Sequence, residues 1–303
     1  MTPLPVAALS FTETEPVVTR ELSGLPDERY INPGALIEAD GTYHLYPNAF
    51  STWPGLVQVP HLTSGDGVSW EAASDGPVLT SEDIPFGDEG ADVSTGYVAA
   101  DGTWVLIFET VSRSQPWVLG MATAPGPDGP WTIELEPILA GGAAGSWDAG
   151  GLSWPSVVQH NGEFLMYFTG LDQPRGGLGA IGLARSADGL TWTKEAEPVL
   201  RAELQWEARS LDRPRVAATD KGLVMVYSGR RLTDRGVAWS QDGVSWQRQG
   251  EEPVIRQADF PAPGGSWDAA IMVRDGTLHY YLEIGAGGGT STTDIYLATA
   301  RVE

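Results

Sequence analysis

Acidic side chains, arginines, asparagines and aromatic side chains recur at two types of position along this chain. The first kind lies just before an apolar strand-like segment and holds Asn32, Asp92, Asp148, Trp154, Arg209, Asp212, Arg213 and Asp268. The second kind follows an aromatic-rich segment and holds Asn48, Phe50, Glu109, Arg113, Asp172, Arg175, Arg230, Arg231 and Glu283. Carboxyl groups transfer protons, and aromatic rings offer flat apolar faces. The combination suits acid–base chemistry on a sugar.

One repeated signature identifies the elements that must position these groups. It consists of Asp-Gly, then Trp, then Pro followed by Val or Ile, and its tryptophans are Trp70, Trp131, Trp192 and Trp246. A degenerate fifth copy runs from Phe11 to Pro16-Val17. The prolines of the five copies lie 61, 60, 61 and 55 residues apart, a period that indicates propeller blades and not the shorter solenoid repeats.

A second signature lies between these copies, and it is an apolar strand joined by a tight turn to an aromatic-rich strand. The five turns are Asp40-Gly41, Asp101-Gly102, Asn161-Gly162, Lys221-Gly222 and Asp275-Gly276. Asp-Gly and Asn-Gly favour type I′ hairpins, because both central residues need positive φ. The sequence therefore predicts one hairpin in each blade.

The two signatures together predict an all-β fold, a five-bladed β-propeller of four-stranded antiparallel blades, in one domain of residues 1–303. The fifth blade lacks its own outer strand, and the N-terminal copy around Phe11 would fill that place and close the ring. Each inner strand would begin, and each second strand end, at the same end of the axis. The side chains named above would therefore converge on one axial pocket.

The opening Asn32-Pro33-Gly34-Ala35-Leu36 and the Ser-x-Asp-Gly-x-Thr/Ser-Trp turns at Ser186 and Ser240 resemble a known group of enzymes. These are the five-bladed propeller glycosidases: the arabinanase/β-xylosidase, invertase/levansucrase and β-mannoside phosphorylase families. The resemblance covers essentially the full length.

The resemblance also implies roles for particular residues. The hydrolases place Asp before Pro in blades one and three, where this chain has Asn32 and Trp154, and Glu near Pro in blade four, where it has Asp212. In the phosphorylases a second-blade Asp donates the proton, which points to Asp92 here, and arginines bind phosphate.

We therefore expect an enzyme that cleaves a glycosidic bond, as a hydrolase or a phosphorylase. Asp92 and Asp212 are the first candidates for acid and base, with Glu109, Asp148 and Asp268 as further catalytic candidates. Substrate binding is expected from Asn32, Trp154, Arg209, Arg213, Arg230, Arg231 and Glu283.

Alternatives stay open at this point. The chain could be a sugar-binding propeller without catalysis, or an enzyme of another reaction class on the same scaffold. A sialidase ranks lower, because sialidases have six blades. Asp148 and Asp268 sit in identical Gly-Ser-Trp-Asp-Ala sequences, which is equally compatible with structural turns, and Asp212 with Arg213 could be an ion pair between blades.

Composition narrows the choice of partners. The formal charge of −22 disfavours nucleic acid and anionic membranes, and the absence of cysteine excludes disulfides and a cysteine nucleophile. No metal motif or cofactor fingerprint occurs, although a structural calcium ion in the central channel is left open. We expect a small carbohydrate substrate, with phosphate as a potential second one. The location expected is cytoplasmic, unless a signal has been trimmed; the oligomeric state is open.

Overall fold

The computed structural model describes residues 6, 9–11, 13–87, 89–112, 115–174, 176–287 and 290–302. Five antiparallel sheets surround an axis, and the innermost strand of each sheet packs against the innermost strands of its two neighbours. The predicted all-β, five-bladed propeller is confirmed. Among these residues, none of the helices combines the length and apolar character needed to cross a membrane.

A short strand, β1, precedes the first blade and covers Ser10–Phe11. Blade one contains β2 Tyr30–Ala39, β3 Thr42–Phe50, β4 Gln58–Val59, β5 Leu62–Ser64, β6 Glu71–Ala72 and β7 Leu79–Thr80. Its main order is β2-β3-β5-β6. Near the C-terminal end of β3, β4 pairs with β3, and β7 pairs with β4.

A 3₁₀ helix, Ser81–Asp83, leads to blade two, which contains β8 Gly90–Val98, β9 Trp104–Val111, β10 Leu119–Ala124 and β11 Thr132–Ile133.

Blades three and four are regular four-stranded meanders. Blade three contains β12 Gly151–His160, β13 Glu163–Leu171, β14 Gly179–Ser186 and β15 Thr193–Lys194. Blade four contains β16 Leu211–Thr219, β17 Gly222–Gly229, β18 Arg235–Ser240 and β19 Gln247–Arg248. A second 3₁₀ helix, Gln257–Asp259, follows.

Blade five is assembled from both ends of the chain. It contains β20 Ser266–Arg274, β21 Thr277–Gly287 and β22 Thr290–Arg301, and β1 supplies the fourth strand. Ser10 pairs with Thr299 and Phe11 pairs with Ala298. The predicted closure of the ring by the N-terminal segment is therefore confirmed.

The repeated Asp-Gly-Trp signature of blades one to four joins each of these blades to the preceding blade of the ring. Trp246 of blade four packs edge-on against Tyr167 of blade three, with ring centroids 5.3 Å apart, and the Tyr167 hydroxyl donates to the Gly243 carbonyl. The same arrangement recurs in the pairs Trp70–Tyr281, Trp131–Tyr46 and Trp192–Tyr97. The hydrophobic core accordingly lies in five layers, one between each pair of adjacent blades.

Candidate active site

An axial cavity of about 680 Å³ opens where the inner strands begin and the second strands end. This is the end of the axis at which the sequence pattern placed a pocket. Seven of the predicted site residues line it: Asn32, Asp92, Glu109, Trp154, Arg213, Asp268 and Glu283. Aromatic side chains complete much of the wall: Tyr30, Phe50, Trp53, Trp117 and Trp267.

Irregular pairing of the inner strands brings these side chains to the axis. All five inner strands shift register at this level, within Asn32–Ala35, Val93–Thr95, Ser153–Ser156, Asp212–Arg215 and Ser266–Ala269. A bulge re-aims side chains and is common beside active sites. Trp154 and Arg213 sit within their bulges at φ of 49° and 53°, a left-handed conformation that is uncommon for such large residues.

Asp92 and Glu109 face each other as register partners on β8 and β9, and both are buried. Burial raises the pKa of Glu109 to about 8, and the charge of Asp268 adds to the effect. Burial also raises the pKa of Asp92, helped by the charges of Glu109 and Asp268. Glu109 accepts a hydrogen bond from the Trp154 amide, whereas Asp92 Oδ1 has no partner among the described residues. Asp92 thus combines a raised pKa with a buried oxygen that has no partner among the described residues, as suits a general acid.

A second carboxyl pair lies across the cavity on blade five. The Asp268 amide donates to Glu283 Oε2 at 3.2 Å, and burial raises the pKa of Glu283 to about 8, with the charge of Asp268 contributing. Asp268 Oδ1 forms an ion pair with Arg215 and accepts from the Ala269 amide at 2.7 Å. No described residue donates to Asp268 Oδ2. One oxygen of this carboxylate is therefore fixed, and the other is buried without a partner among the described residues.

Arg215 is a buried residue beside the site that the sequence analysis did not identify. It is almost fully buried, and besides Asp268 it donates to the carbonyls of Ala269, Trp154 and Pro155, the last at 3.0 Å. It therefore ties blades three, four and five together beneath the cavity. The available signal was an arginine beside the apolar Val216-Ala217 segment, because a charged side chain in a buried strand must find partners.

Arg213 presents a guanidinium group to the cavity. The group lies 3.8 Å above the Trp154 ring, and its Nε and Nη1 atoms are buried without a hydrogen-bond partner among the described residues. A buried guanidinium without acceptors is costly, and its donors fit a carboxylate or phosphate. The Arg213 guanidinium therefore has unused donors with which it can bind an anionic or strongly polar group of a ligand.

Comparison with known proteins relates this site to sugar-active families. A family model described as beta-1,4-mannooligosaccharide phosphorylase matches residues 155–300. The 1,2-beta-oligomannan phosphorylase of Thermoanaerobacter sp. (strain X514) is 27% identical over 139 residues, which are 42% of this chain and 47% of that protein. The chain thus spans about half the length of the curated relative it matches.

Solved structures match over almost the whole chain. A thermostable family-43 glycoside hydrolase has a TM-score of 0.69 at 15% identity and covers 88% of both chains. A structure from a mannoside phosphorylase family that contains glycoside hydrolases targeting beta-1,2 mannosidic linkages in Candida mannan has a TM-score of 0.65 at 15% identity. It covers 99% of this chain and 95% of that one.

The predicted resemblance to the five-bladed propeller glycosidases is confirmed. The printed descriptions of the matched proteins include both glycoside hydrolases and glycoside phosphorylases.

Five other predicted site residues of this glycosidase-like propeller lie outside the axial cavity. Asp212 is buried between blades three and four, where it accepts from Ser210 Oγ at 3.0 Å, and burial raises its pKa. Its neighbour Arg213 turns to the axis instead, because the bulge separates the directions of the two side chains. Asp212 therefore does not join the acid and base groups described above.

Asp148 lies between blade-three loops and pairs with Lys194 of the outer strand. Burial raises its pKa, but hydrogen bonds from Lys194 and Ser146 outweigh burial and leave the pKa below its usual value. Three arginines predicted to bind substrate are on the exposed surface: Arg209, Arg230 and Arg231. The Arg230 guanidinium donates to the carbonyls of Gly176 and Gly177. Arg113 and Arg175, from the second set of candidates, lie outside the described residues.

His44, His61 and His279 lie away from the acid groups of the axial cavity. His44 is buried between blades one and two, with its Nδ1 atom 2.9 Å from His61 Nε2 and its ring against Trp104. His279 is half-buried and contacts the Thr277 carbonyl. Within the described ranges, no group of three or more His, Cys, Asp or Glu side chains is arranged to hold a metal ion.

Proposed function

We propose that the chain is a carbohydrate-active enzyme that cleaves a glycosidic bond in the axial cavity. The observation that carries this proposal is that one cavity is lined both by a carboxyl group of raised pKa and by a carboxylate held in an ion pair. Asp92 has a raised pKa and a free oxygen, and Asp268 is held by Arg215 with its second oxygen free. Two carboxyl groups in different environments are the usual requirement of glycoside cleavage.

The roles follow from these environments. The bond between the anomeric carbon and the leaving oxygen breaks, and Asp92 gives its proton to that oxygen. In hydrolysis, Asp268 accepts a proton from the water that bonds to the anomeric carbon. In phosphorolysis, phosphate itself forms the new bond to carbon. Asp268 thus takes the role of base that the sequence analysis gave to Asp212. Glu109 lies beside the acid, Asp92, and Glu283 lies beside the base, Asp268.

Arg213 and the aromatic walls support binding of the substrate. The guanidinium on Trp154 suits phosphate or a carboxylate of the sugar, and the indole faces suit the apolar sides of a pyranose ring. The family model and the curated relative are both described as phosphorylases of β-linked mannooligosaccharides, so we propose β-mannosides as the first substrate class. Asn32 is fixed by the amide of Asn48 at 2.7 Å and lines the same wall.

A panel of aryl glycosides, assayed with and without phosphate, tests the proposal. The Asp92→Asn variant should lower kcat/KM by about 10²–10⁴-fold, because it removes the transferable proton while keeping the size of the side chain. The matched control is Asp148→Asn, which alters a buried aspartate outside the cavity. Activity that depends on phosphate identifies a phosphorylase.

Wild-type rates in Asp92→Asn would contradict the assignment of this residue. A wild-type protein that binds mannosides in calorimetry but cleaves no member of the panel would favour the sugar-binding propeller instead.

A further inference from the structure

Two tryptophans stand at the mouth of the axial cavity with much of their surface exposed. Trp53 is 40% exposed and Trp267 is 43% exposed, and both line the cavity. All twelve tryptophans of the chain are described, and these two are its exposed ones. An exposed indole forgoes the free energy that burial of so large an apolar surface would give. Its placement at a cavity mouth therefore points to a ligand.

The surroundings of Trp267 leave its ring open to the cavity. The adjacent wall consists of glycine backbone, in which Gly264 and Gly285 pair through a hydrogen bond of 3.0 Å. A Cβ atom on Gly265 would come within 3.2 Å of the ring. The absence of side chains on this wall lets the backbone approach the indole and support it from one side.

Trp53 is supported in a comparable way from blade one. Its ring lies against Phe50, with centroids 5.6 Å apart, and Phe50 itself is buried against Tyr30. Thr52 and Ser51 line the cavity beside it. Each exposed indole therefore has one face or edge in contact with the protein.

The cavity has two ends of different character. Its deep end carries buried carboxyl groups, among them Asp92, Glu109 and Glu283, whereas its open end carries the two indoles. A bond that receives a proton from Asp92 must lie at the deep end. Any further sugars on the same substrate must then leave through the open end, past Trp53 and Trp267.

We propose that Trp53 and Trp267 form a distal sugar-binding subsite for the part of an oligosaccharide chain that extends beyond the cleaved bond. The proposal rests on the proposed function and adds to it the two residues of this chain that bind the outer sugars. The indole faces stack on the apolar sides of the outer pyranose rings, which carry no charge for the acidic surface to repel.

Calorimetric binding in the Asp92→Asn background tests this subsite, because that variant binds without turnover. The ligands are methyl β-mannoside and β-linked mannooligosaccharides of two to five sugars, in both β-1,4 and β-1,2 linkage. We expect the affinity to increase with chain length. Adding Trp53→Ala or Trp267→Ala should weaken binding of the longer chains about tenfold, equivalent to about 1.4 kcal/mol, and leave methyl β-mannoside unaffected.

The matched control is Leu135→Ala, which removes a side chain that is 75% exposed and lies outside the cavity lining. Equal losses for methyl β-mannoside and for the long chains would overturn the proposal, as would unchanged affinities or an absence of binding in the parent. These outcomes are independent of the cleavage assay. If Asp92→Asn retained full activity, the catalytic assignment would fail, and the KM values of the active protein and of its Trp53→Ala and Trp267→Ala variants for the same ligands would then measure the dependence on chain length.

Discussion

Two copies of the sequence Gly-Ser-Trp-Asp-Ala lie in different structural settings. In the first copy, Trp147 packs against Phe168 with centroids 6.1 Å apart, and Asp148 pairs with Lys194 on the outer strand. In the second copy, Trp267 is exposed at the cavity mouth and Asp268 pairs with Arg215 beneath it. Both aspartates are buried and each forms an ion pair with a basic side chain, yet only the second aspartate lines the axial cavity.

The difference arises from where each copy meets its inner strand. The first copy ends before β12 begins at Gly151, whereas the second enters β20 at Ser266 and forms its bulge. The structural counterpart of Trp147-Asp148 is Trp206-Glu207 in blade four. There Trp206 stacks on Tyr227, and Glu207 accepts from Arg248 of the outer strand. Position relative to the bulge, and not the five-residue sequence, decides which carboxylate faces the ligand.

Of the substitutions that test this comparison, Asp268→Asn should have the largest effect on activity and stability. Asp268→Asn should lower kcat/KM by about 10²–10⁴-fold, because it removes the proposed base. It should also lower the free energy of unfolding by up to about 3–5 kcal/mol, because Arg215 loses its ionic partner in a buried site. Kinetics at a temperature where the variant stays folded, together with denaturant unfolding, measure the two effects. Retention of wild-type kcat/KM would show that the cavity copy is structural too.

The pH dependence of stability should distinguish the buried carboxyl groups of the cavity from the carboxylates that lie outside it. The folded pKa of Glu109, about 8, lies above its usual value of 4.5. The stability contributed by its neutral form is therefore complete below pH 4.5 and is lost as the pH rises towards 8. Glu109→Gln should remove this loss and raise Tm by several degrees relative to wild type at pH 8, but not at pH 4.5.

Thermal unfolding across this pH range measures the difference between the two proteins. Glu163→Gln, an exposed glutamate of blade three, is a suitable control. Parallel Tm curves for wild type and Glu109→Gln would contradict the raised pKa.

Substitution of Asp148 should have the smallest effect. Asp148→Asn should lower the free energy of unfolding by about 1–3 kcal/mol, because it weakens a partly buried charged hydrogen bond to Lys194. The pKa of Asp148 is lowered, so the difference from wild type should fade as the pH falls below its usual value of 3.8. Denaturant titrations at two pH values measure it. kcat/KM should stay within about twofold of wild type, and a larger loss would place this copy in the catalytic machinery as well.

The blades could be predicted from sequence because their signals are local. Positive φ at both central residues occurs at Asp40-Gly41, Asn161-Gly162 and Asp275-Gly276, as the hairpin rule predicts, whereas at Asp101-Gly102 only the glycine has positive φ. The outer-strand tryptophans pack between blades as their spacing indicated. Such features depend on a few neighbouring residues, so a repeat makes them visible.

The site could be predicted only in part because it depends on register. Counting from the start of a strand cannot show that Arg213 turns to the axis while Asp212 turns between blades. At the bulge that separates them, Thr169 Oγ1 of the neighbouring blade accepts a hydrogen bond from the Arg213 amide at 3.0 Å. Arg215 was missed for the same reason, since its partners come from blades three and five and are distant in sequence.

The pairing of β1 with β22 has a consequence for folding kinetics. Ser10 and Thr299 are neighbours in one sheet although nearly the whole chain separates them. Such contacts carry a large loop-closure entropy and slow the folding of β proteins. We therefore expect blade five to be the last part of the ring to gain protection from hydrogen exchange during refolding, and the cavity that it borders to form with it.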